Sequence, residues 1–224
     1  MSDLSVIYED NHILVVNKSA GLLVQGDQTG DKSLVDVGKR YIKYKYQKPG
    51  DAFLGLVHRI DRPTTGVIVL ARTSKALTRL NQQFKDRVPK KIYRAIVSGN
   101  PKSSARLEHY LKKNRSQNKS FHYPKNTPST KHAVLQYWYV MKLKSYHVLE
   151  IELETGRHHQ IRAQLAAEGL HIKGDLKYGA KRPNPNGSIH LHARSLQFIH
   201  PITKVEMKFI ASYPNDVIWN ALTN

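Results

Sequence analysis

The stretch HRIDRPTTGVIVLA, residues 58–71, joins a charged loop to an apolar run. Its second half, VIVLA at 67–71, is rich in β-branched residues and contains no polar residue, which predicts a fully buried strand. Its first half holds one carboxylate, Asp61, between Arg59 and Arg62. Nearby opposite charges favour the ionised form of an acid, so we expect Asp61 to be a carboxylate at neutral pH. Two readings stay open on these residues alone: a structural ion pair, or a base or nucleophile.

Strand and helix patterns alternate on both sides of this stretch. Alternating apolar and polar residues indicate strands, and apolar residues at helical spacing indicate helices. No internal repeat, low-complexity tract or shift in composition marks a linker, so we expect a single domain over residues 1–224 with an α+β fold dominated by antiparallel strands. The predicted elements are a hairpin over 5–18, a helix from Ser33 to the Pro49-Gly50 stop, a helix capped at 73–74, a strand over 91–99, two strands over 132–153, a helix over 158–169 and a hairpin turning at 201–204.

Two basic segments have an open role. In the first predicted helix, Leu34, Val37, Tyr41 and Tyr44 recur at helical spacing, which places both tyrosines on the core face. For Tyr46 we leave open whether it packs in the core or stacks on a base. Residues 112–131 are polar, basic and rich in turn formers, which predicts a surface loop or a ragged hairpin, with RNA contact as a second role.

The net charge points to a polyanionic partner. The chain has 224 residues, 36 Lys and Arg against 17 Asp and Glu, and a formal net charge of +19. A surplus of this size is unfavourable through self-repulsion unless an anion offsets it. Nucleic acid is the leading candidate, because Lys and Arg displace the counterions of its phosphates. An anionic membrane is the second candidate, but no long basic amphipathic helix with an aromatic and leucine-rich face is evident.

The sequence also bears on the compartment. No segment approaches the roughly 20 apolar residues that a membrane span requires, and the first residues, MSDLSVIYEDNH, lack the basic and apolar regions of a secretory leader. The chain has no cysteine, which fits a reducing compartment. We therefore expect a cytoplasmic protein without a membrane segment.

Several chemistries lack their motifs. There is no glycine-rich phosphate loop, no HExxH and no G-x-S-x-G. His190 and His192 share one face of a predicted strand, but no acid stands at ligand spacing, so packing explains them better than a metal does. Glycosidases use two carboxylates, and no second acid accompanies Asp61. What is left is a lone carboxylate among cations, with no metal or cofactor expected.

Five ordered motifs resemble the RluA-type pseudouridine synthases. They span nearly the whole chain, and five in order are far more specific than any one alone. The matching segments are LVVNKSAGLLVQ at 14–25, VHRIDRPTTGVIVLART at 57–73, KIYRAIVSG at 91–99, TGRHHQIRAQLAAEGLHIKGDLKYG at 155–179 and LHARSLQFIHPIT at 191–203.

The resemblance implies a fold and a reaction. The expected fold is a pseudouridine synthase catalytic domain, with a mixed, mostly antiparallel central sheet and flanking helices. The expected reaction isomerises a uridine within RNA: the N1–C1′ bond breaks and C5 joins C1′, without metal or cofactor. Because the target base must leave its stack to be reached, an arginine at the position of Arg59 is expected to occupy the vacated space.

The resemblance also implies the site residues. Asp61 corresponds to the catalytic aspartate, Tyr93 to the active-site tyrosine and Arg162 to the arginine that pairs with that aspartate. Ile161 is expected to line the uracil pocket. The full expected substrate-binding set is Arg59, Ile161, Arg157, His58 and Arg62. Two roles stay open: Arg157 either organises the loop or contacts a phosphate, and Arg62 either packs the loop or contacts a phosphate.

Two departures from the family pattern affect the expected substrate. Pro63-Thr64-Thr65 replaces a frequent Asp-Thr-Ser, which slightly favours transfer RNA over ribosomal RNA as the target. The resemblance begins near residue 6, leaving no room for the small RNA-binding domain that many relatives carry, so we expect the catalytic domain to bind RNA as a monomer without an obligate protein partner. The alternative function is a non-catalytic RNA-binding or ribosome-assembly protein that retains the fold.

Overall fold

The computed structural model describes residues 4–27 and 30–222. Within these ranges it contains strands that pair antiparallel in long ladders, together with helices, and this confirms the predicted α+β class with a mixed, mostly antiparallel sheet. The strands are β1 (Val6–Glu9), β2 (Ile13–Lys18), β3 (Gly55–Leu56), β4 (Thr65–Ala71), β5 (Lys90–Ser98), β6 (Ser104–Asn114), β7 (Lys119–Tyr123), β8 (Lys131–Lys142), β9 (His147–Leu153), β10 (His171–Ile172), β11 (Leu191–Ile199) and β12 (Glu206–Ile210).

The helices begin and end close to the predicted positions. They are α1 (Leu34–Lys45), α2 (Ser74–Lys85), α3 (Gln160–Ala167), the short α4 (Val217–Asn220) and a 3-10 helix (Leu176–Tyr178). The α1 N-terminus is a capping box, in which the Ser33 hydroxyl accepts from the Asp36 N–H and the Asp36 carboxylate accepts from the Ser33 N–H. The Thr73 hydroxyl caps α2 by accepting a hydrogen bond from the Ala76 N–H, without a reciprocal bond. No helix in the described part of the chain combines the length and apolar character that crossing a bilayer requires.

The first of two compact units comprises residues 1–89 and 193–224. Its strand order is β1, β2, β4, β11, β12, with β3 on the edge of β4. All seven residues of β4 are buried, as the apolar run predicts, and β2 pairs with it from Ile13 opposite Ala71 to Lys18 opposite Gly66. A Cβ atom at Gly66, where φ is +119°, would meet the backbone of Ala193, so only glycine allows this approach of β4 to β11.

The side of α1 that faces the core differs from the prediction. Its buried residues are Leu34, Gly38 and Ile42, whereas Tyr44 is 76% exposed. A Cβ atom at Gly38 would lie only 2.5 Å from the Leu54 side chain, so the helix approaches its neighbour through the glycine. Apolar periodicity does not count glycine as a contact position, and the prediction that Tyr44 faces the core was therefore wrong.

The neighbouring tyrosines of α1 pack on the body of this unit. Tyr41 is half-buried, and its hydroxyl accepts a hydrogen bond from Lys45. The role of Tyr46 was open. Its hydroxyl donates a hydrogen bond to the Glu9 carboxylate, and the Arg72 guanidinium carbon lies 4.5 Å from the centre of its ring. Of its two predicted roles, the contacts of Tyr46 therefore favour packing.

The second unit comprises residues 90–192. Its strand order is β10, β5, β9, β8, β6, β7. The segment 112–131 forms a hairpin from the end of β6 through β7, with Tyr110 opposite Tyr123 and Lys112 opposite Phe121. One face of this hairpin is buried with α3 in a small core that contains Leu111, Ala133, Ala163 and Tyr178.

Candidate active site

Asp61 lies in the first unit, in the loop between β3 and β4. Its side chain is partly buried, and its carbonyl accepts a hydrogen bond from the Thr64 N–H at 3.0 Å, which closes a tight turn. Thr64 and Thr65, directly after the turn, are buried at the start of β4. The carboxylate is thus presented at the mouth of a fully buried strand, which limits the movement of its backbone.

A buried lysine fixes this loop to the end of β2. Lys18 is 1% exposed, and its ammonium donates to the carbonyls of Ser19 and Leu22, each at 2.8 Å, and of Arg62 at 3.1 Å. These three acceptors satisfy all three of its N–H donors. Burial lowers the pKa of Lys18 to about 7, while the nearby charge of Asp61 opposes this shift. Lys18 therefore supports both the position and the charge of the carboxylate.

The other predicted residues of this loop have different surroundings. Arg62 donates through Nε to the Gly21 carbonyl at 2.9 Å and pairs with Asp31 at 2.8 Å, which favours loop packing of its two open roles. His58 accepts a hydrogen bond from the Val69 N–H at 3.1 Å and stacks on the Phe84 ring. Arg59 is exposed, and its predicted contact with RNA stays a prediction.

Tyr93, Ile161 and Arg162 lie in the second unit. Tyr93 is in the middle of β5, opposite Ile151 of β9, and is 9% exposed. Ile161 and Arg162 are in the first turn of α3, where residues 160–165 are all buried. The predicted pair of Asp61 with Arg162 involves both units, and it stays a prediction.

The start of α3 is organised by buried amide and hydroxyl groups. The side-chain oxygen of Gln160 accepts from Thr155 Oγ1 at 2.7 Å and from the Arg157 backbone N–H at 2.9 Å. Its side-chain nitrogen donates to the Val134 carbonyl at 3.0 Å. The Arg157 Nε donates to the His132 carbonyl at 2.8 Å. This contact favours loop organisation for Arg157, and the set anchors the turn that carries Arg162.

The Arg162 guanidinium makes a buried two-hydrogen-bond pair with Asp175. Nε and Nη2 donate to the two carboxylate oxygens at 2.7 and 2.8 Å, and the side chains are 5% and 1% exposed. The Tyr178 ring lies 4.9 Å from the guanidinium carbon, within the range of a cation–π contact. A guanidinium has five N–H donors, and this fork uses two of them. Asp175 therefore fixes the orientation of Arg162 and leaves donors for a second acceptor.

A neutral histidine completes the surroundings of Tyr178. His159 precedes α3 with a left-handed backbone (φ +51°), and its Nδ1 lies 3.0 Å from the Tyr178 hydroxyl. Burial, followed by the nearby charge of Arg162, lowers the pKa of His159 to about 2. The imidazole is thus uncharged near neutral pH and adds no positive charge beside the guanidinium.

Sequence reasoning did not identify Asp175 or Tyr178 as site residues. Both occur in GDLKYG at 174–179, the end of the third motif, so the signal was present in the quoted residues. Their separation from Arg162 by more than one helical turn concealed the contact. Lys18 was included only within the predicted hairpin and the first motif, because a buried lysine is indistinguishable from a surface lysine in a sequence.

Comparison with known proteins identifies the family of this chain. The family model described as RNA pseudouridylate synthase matches residues 12–167. The chain belongs to this family. Its members are isomerases, and all eight predicted site residues fall within the matched segment: His58, Arg59, Asp61, Arg62, Tyr93, Arg157, Ile161 and Arg162.

Named relatives extend the match over most of the chain. The ribosomal large subunit pseudouridine synthase D of Zymomonas mobilis is 34% identical over 96% of this chain and 70% of its own length. The uncharacterized RNA pseudouridine synthase YhcT of Bacillus subtilis is 32% identical over 96% of this chain and 70% of its own length. The solved structure of human RNA pseudouridylate synthase domain containing 4 covers 97% of this chain and 92% of that chain, with a TM-score of 0.80 at 24% identity, which supports the fold.

Proposed function

We propose that this pseudouridine synthase isomerises a uridine in structured RNA with Asp61 as its essential carboxylate. The observation that carries the proposal is the fixed loop around Asp61: Lys18 binds the carbonyl of the next residue, Arg62, and Thr64 closes the turn. A reacting group must be held close to its productive geometry, and a 1 Å displacement can lower a rate about 10²-fold. A carboxylate that served only as a surface charge would not need a buried lysine behind its loop.

The proposed roles follow the reaction. Asp61 either attacks the sugar or removes a proton from it, and both steps require the ionised carboxylate. Arg162 is proposed to pair with Asp61 through N–H groups outside the Asp175 fork, and Tyr93 to stack on or beside the flipped uracil. Ile161 is proposed to line the uracil pocket, and Arg59 to replace the flipped base in the stack.

The proposed target is ribosomal RNA of the large subunit. Several relatives that match at 30–34% identity carry that substrate in their names. Transfer RNA is the alternative that Pro63 favoured. Mapping pseudouridines in ribosomal and transfer RNA from cells with and without the gene would decide between them. We further propose that the protein acts as a cytoplasmic monomer, which sizing and cell fractionation would test.

The decisive variant is Asp61→Asn. Asparagine keeps the shape of the side chain but cannot act as a base or a nucleophile, so we expect normal folding, RNA binding close to wild type and no detectable turnover. Turnover is followed by release of hydrogen from C5 of labelled uridine, and binding by filter retention on the same RNA. Asp51→Asn is the matched control, because Asp51 is an exposed carboxylate of the same unit.

The outcome also separates the alternative functions. Activity of Asp61→Asn near the wild-type rate would show that the carboxylate is only structural. Wild-type protein that binds RNA without releasing C5 hydrogen would favour the non-catalytic RNA-binding alternative. Strand scission or free uracil would instead indicate nuclease or glycosidase chemistry.

A further inference from the structure

The outward side of α1 concentrates positive charge around one exposed aromatic ring. Lys39, Arg40, Lys43 and Tyr44 are all exposed, and we call these four residues the α1 basic face. At 100° per residue they lie within an arc of roughly 140°, opposite the buried residues of the helix. Tyr44 is 76% exposed, which makes it the most exposed aromatic side chain in the described part of the chain.

The charges of the α1 basic face are not balanced within the fold. Lys39 and Lys43 are one turn apart, and like charges at this spacing destabilise a helix. Asp36 lies one turn earlier; its carboxylate is held by Ser33 in the capping box and interacts electrostatically with Lys39 and Arg40 without forming an ion pair with either. Within residues 4–27 and 30–222 none of the three cations of the face forms an ion pair. Lys43 lies in the last turn of α1, where a cation offsets the helix dipole, whereas Lys39 and Arg40 lie before that turn.

Four other cations of the same unit have partners. Lys45 pairs with Glu9, Arg62 pairs with Asp31, and Arg72 lies against the Tyr46 ring. The guanidinium carbon of Arg194 likewise lies 4.3 Å from the centre of the Tyr213 ring. The α1 basic face differs from these partnered cations because three charges cluster on one side of a single helix around an exposed ring.

The exposed ring narrows the choice of ligand. Tyr44 follows Arg40 by four residues, so its ring and the guanidinium are neighbours on the helix surface. RNA presents phosphates beside bases with flat apolar faces, so it matches the cations and the ring together. Cations that follow a backbone together with aromatic rings on which bases stack are the usual means of binding single-stranded nucleic acid.

We propose that the α1 basic face binds an RNA segment beyond the reacting uridine, with its three cations on phosphates and Tyr44 stacked on an unpaired base. The proposal rests on the proposed function, because it extends the RNA contacts of that enzyme. It gives the chain an anchoring surface that is separate from the loop of Asp61.

Salt dependence tests the cations. The variant Lys39→Gln/Arg40→Gln/Lys43→Gln is compared with the control Lys75→Gln/Lys85→Gln/Lys208→Gln, which removes the same charge from exposed positions elsewhere in the unit. Filter binding of a large-subunit ribosomal RNA transcript is measured across a salt series. Log affinity falls as log salt rises, and each lost phosphate contact should make this fall shallower by ~0.7–0.9 per decade of salt. The slope of the α1 variant should therefore be smaller in magnitude than that of the wild type by about 2–3. Equal slopes for the variant and the control would overturn the proposal.

Two substitutions at Tyr44 test the ring. Tyr44→Ala should weaken RNA binding by about 5- to 150-fold, whereas Tyr44→Phe, which keeps the ring, should bind like wild type. Heparin serves as a second probe, because it is a polyanion without bases. Tyr44→Ala should leave heparin binding unchanged, and an equal loss with RNA and heparin would refute stacking.

The experiments distinguish a failure of the α1 proposal from a failure of the proposed function. All binding measurements use protein that also carries Asp61→Asn, so that turnover does not alter the RNA. If the wild type releases C5 hydrogen but the slopes are equal, only the α1 proposal fails. If the wild type shows no turnover but the slopes differ, the proposed reaction fails and the RNA-binding face stands.

Discussion

The pair of Arg162 with Asp175 provides the most quantitative test of the candidate site. Asp175→Asn keeps the size of the side chain and one acceptor oxygen but removes the charge from a fork that is 1% and 5% exposed. Removing one partner of a buried ion pair costs about 3–5 kcal/mol, because the other charge is left uncompensated. Since asparagine keeps one hydrogen bond, we expect a loss of about 3 kcal/mol, and a decrease in Tm of roughly 6–12 °C for a chain of this size.

A double-mutant cycle isolates the interaction. Arg162→Met removes the guanidinium and leaves Asp175 buried without its fork, so this variant should also be destabilised by about 3–5 kcal/mol. The double variant contains neither buried charge, and it should lose less than the sum of the single variants by up to about 3 kcal/mol. The free energies of unfolding are measured by urea titration followed by circular dichroism.

An exposed pair provides the matched control. Arg106 and Glu154 are hydrogen-bonded on the surface of the same unit, with side chains 49% and 46% exposed. The cycle with Arg106→Met and Glu154→Gln should show little coupling, because water and salt screen an exposed pair. Coupling between Arg162 and Asp175 no larger than in this control would refute the reasoning. Because Asp175 orients a proposed catalytic group, Asp175→Asn should also lower turnover more than RNA binding.

The remaining predictions concern three other positions. Lys18→Met should reduce turnover by freeing the Asp61 loop. Folding lowers the Lys18 pKa from 10.5 to about 7, so between these pH values the unfolded wild type binds a proton that the folded protein does not. In urea titrations the stability of the wild type should therefore rise relative to the variant from about pH 7 to about pH 10, and a constant difference would contradict this. Tyr93→Leu should lose more turnover than Tyr93→Phe, since stacking contributes ~1–3 kcal/mol per base; equal losses would assign the role to the hydroxyl. Gly66→Ala should lower the free energy of unfolding by more than ~1 kcal/mol in urea titrations, whereas Gly26→Ala should not, because the space around Gly26 is open. Similar stability of the two variants would show that β4 tolerates a Cβ atom at Gly66.

Local features of the sequence determined most of the elements. The Ser33 and Asp36 side chains form their capping box within one helical turn, so the start of α1 was readable from neighbouring residues. The apolar run at 67–71 lies in a strand buried on both faces. The five ordered motifs likewise indicated the family, because the residues of each motif are contiguous in the chain.

The face of α1 shows where periodicity fails. The spacing of Leu34, Val37, Tyr41 and Tyr44 predicted one core face, but the core follows Leu34, Gly38 and Ile42. A glycine has no side chain to register in an apolar pattern, yet it allows the closest approach of the helix to Leu54. The correct rotation of the helix depended on the shape of its neighbours.

Contacts between distant residues were decided only by tertiary structure. Lys18 reaches the Arg62 carbonyl across 44 positions of the chain, and Arg162 meets Asp175 across 13. A sequence pattern reports periodicity within a few turns or strands, where backbone geometry fixes which side chains are neighbours. Whether a lysine is buried against carbonyls or solvated, and which acid an arginine meets, depends on how separate elements pack, because desolvation and hydrogen-bond geometry are set by the assembled core.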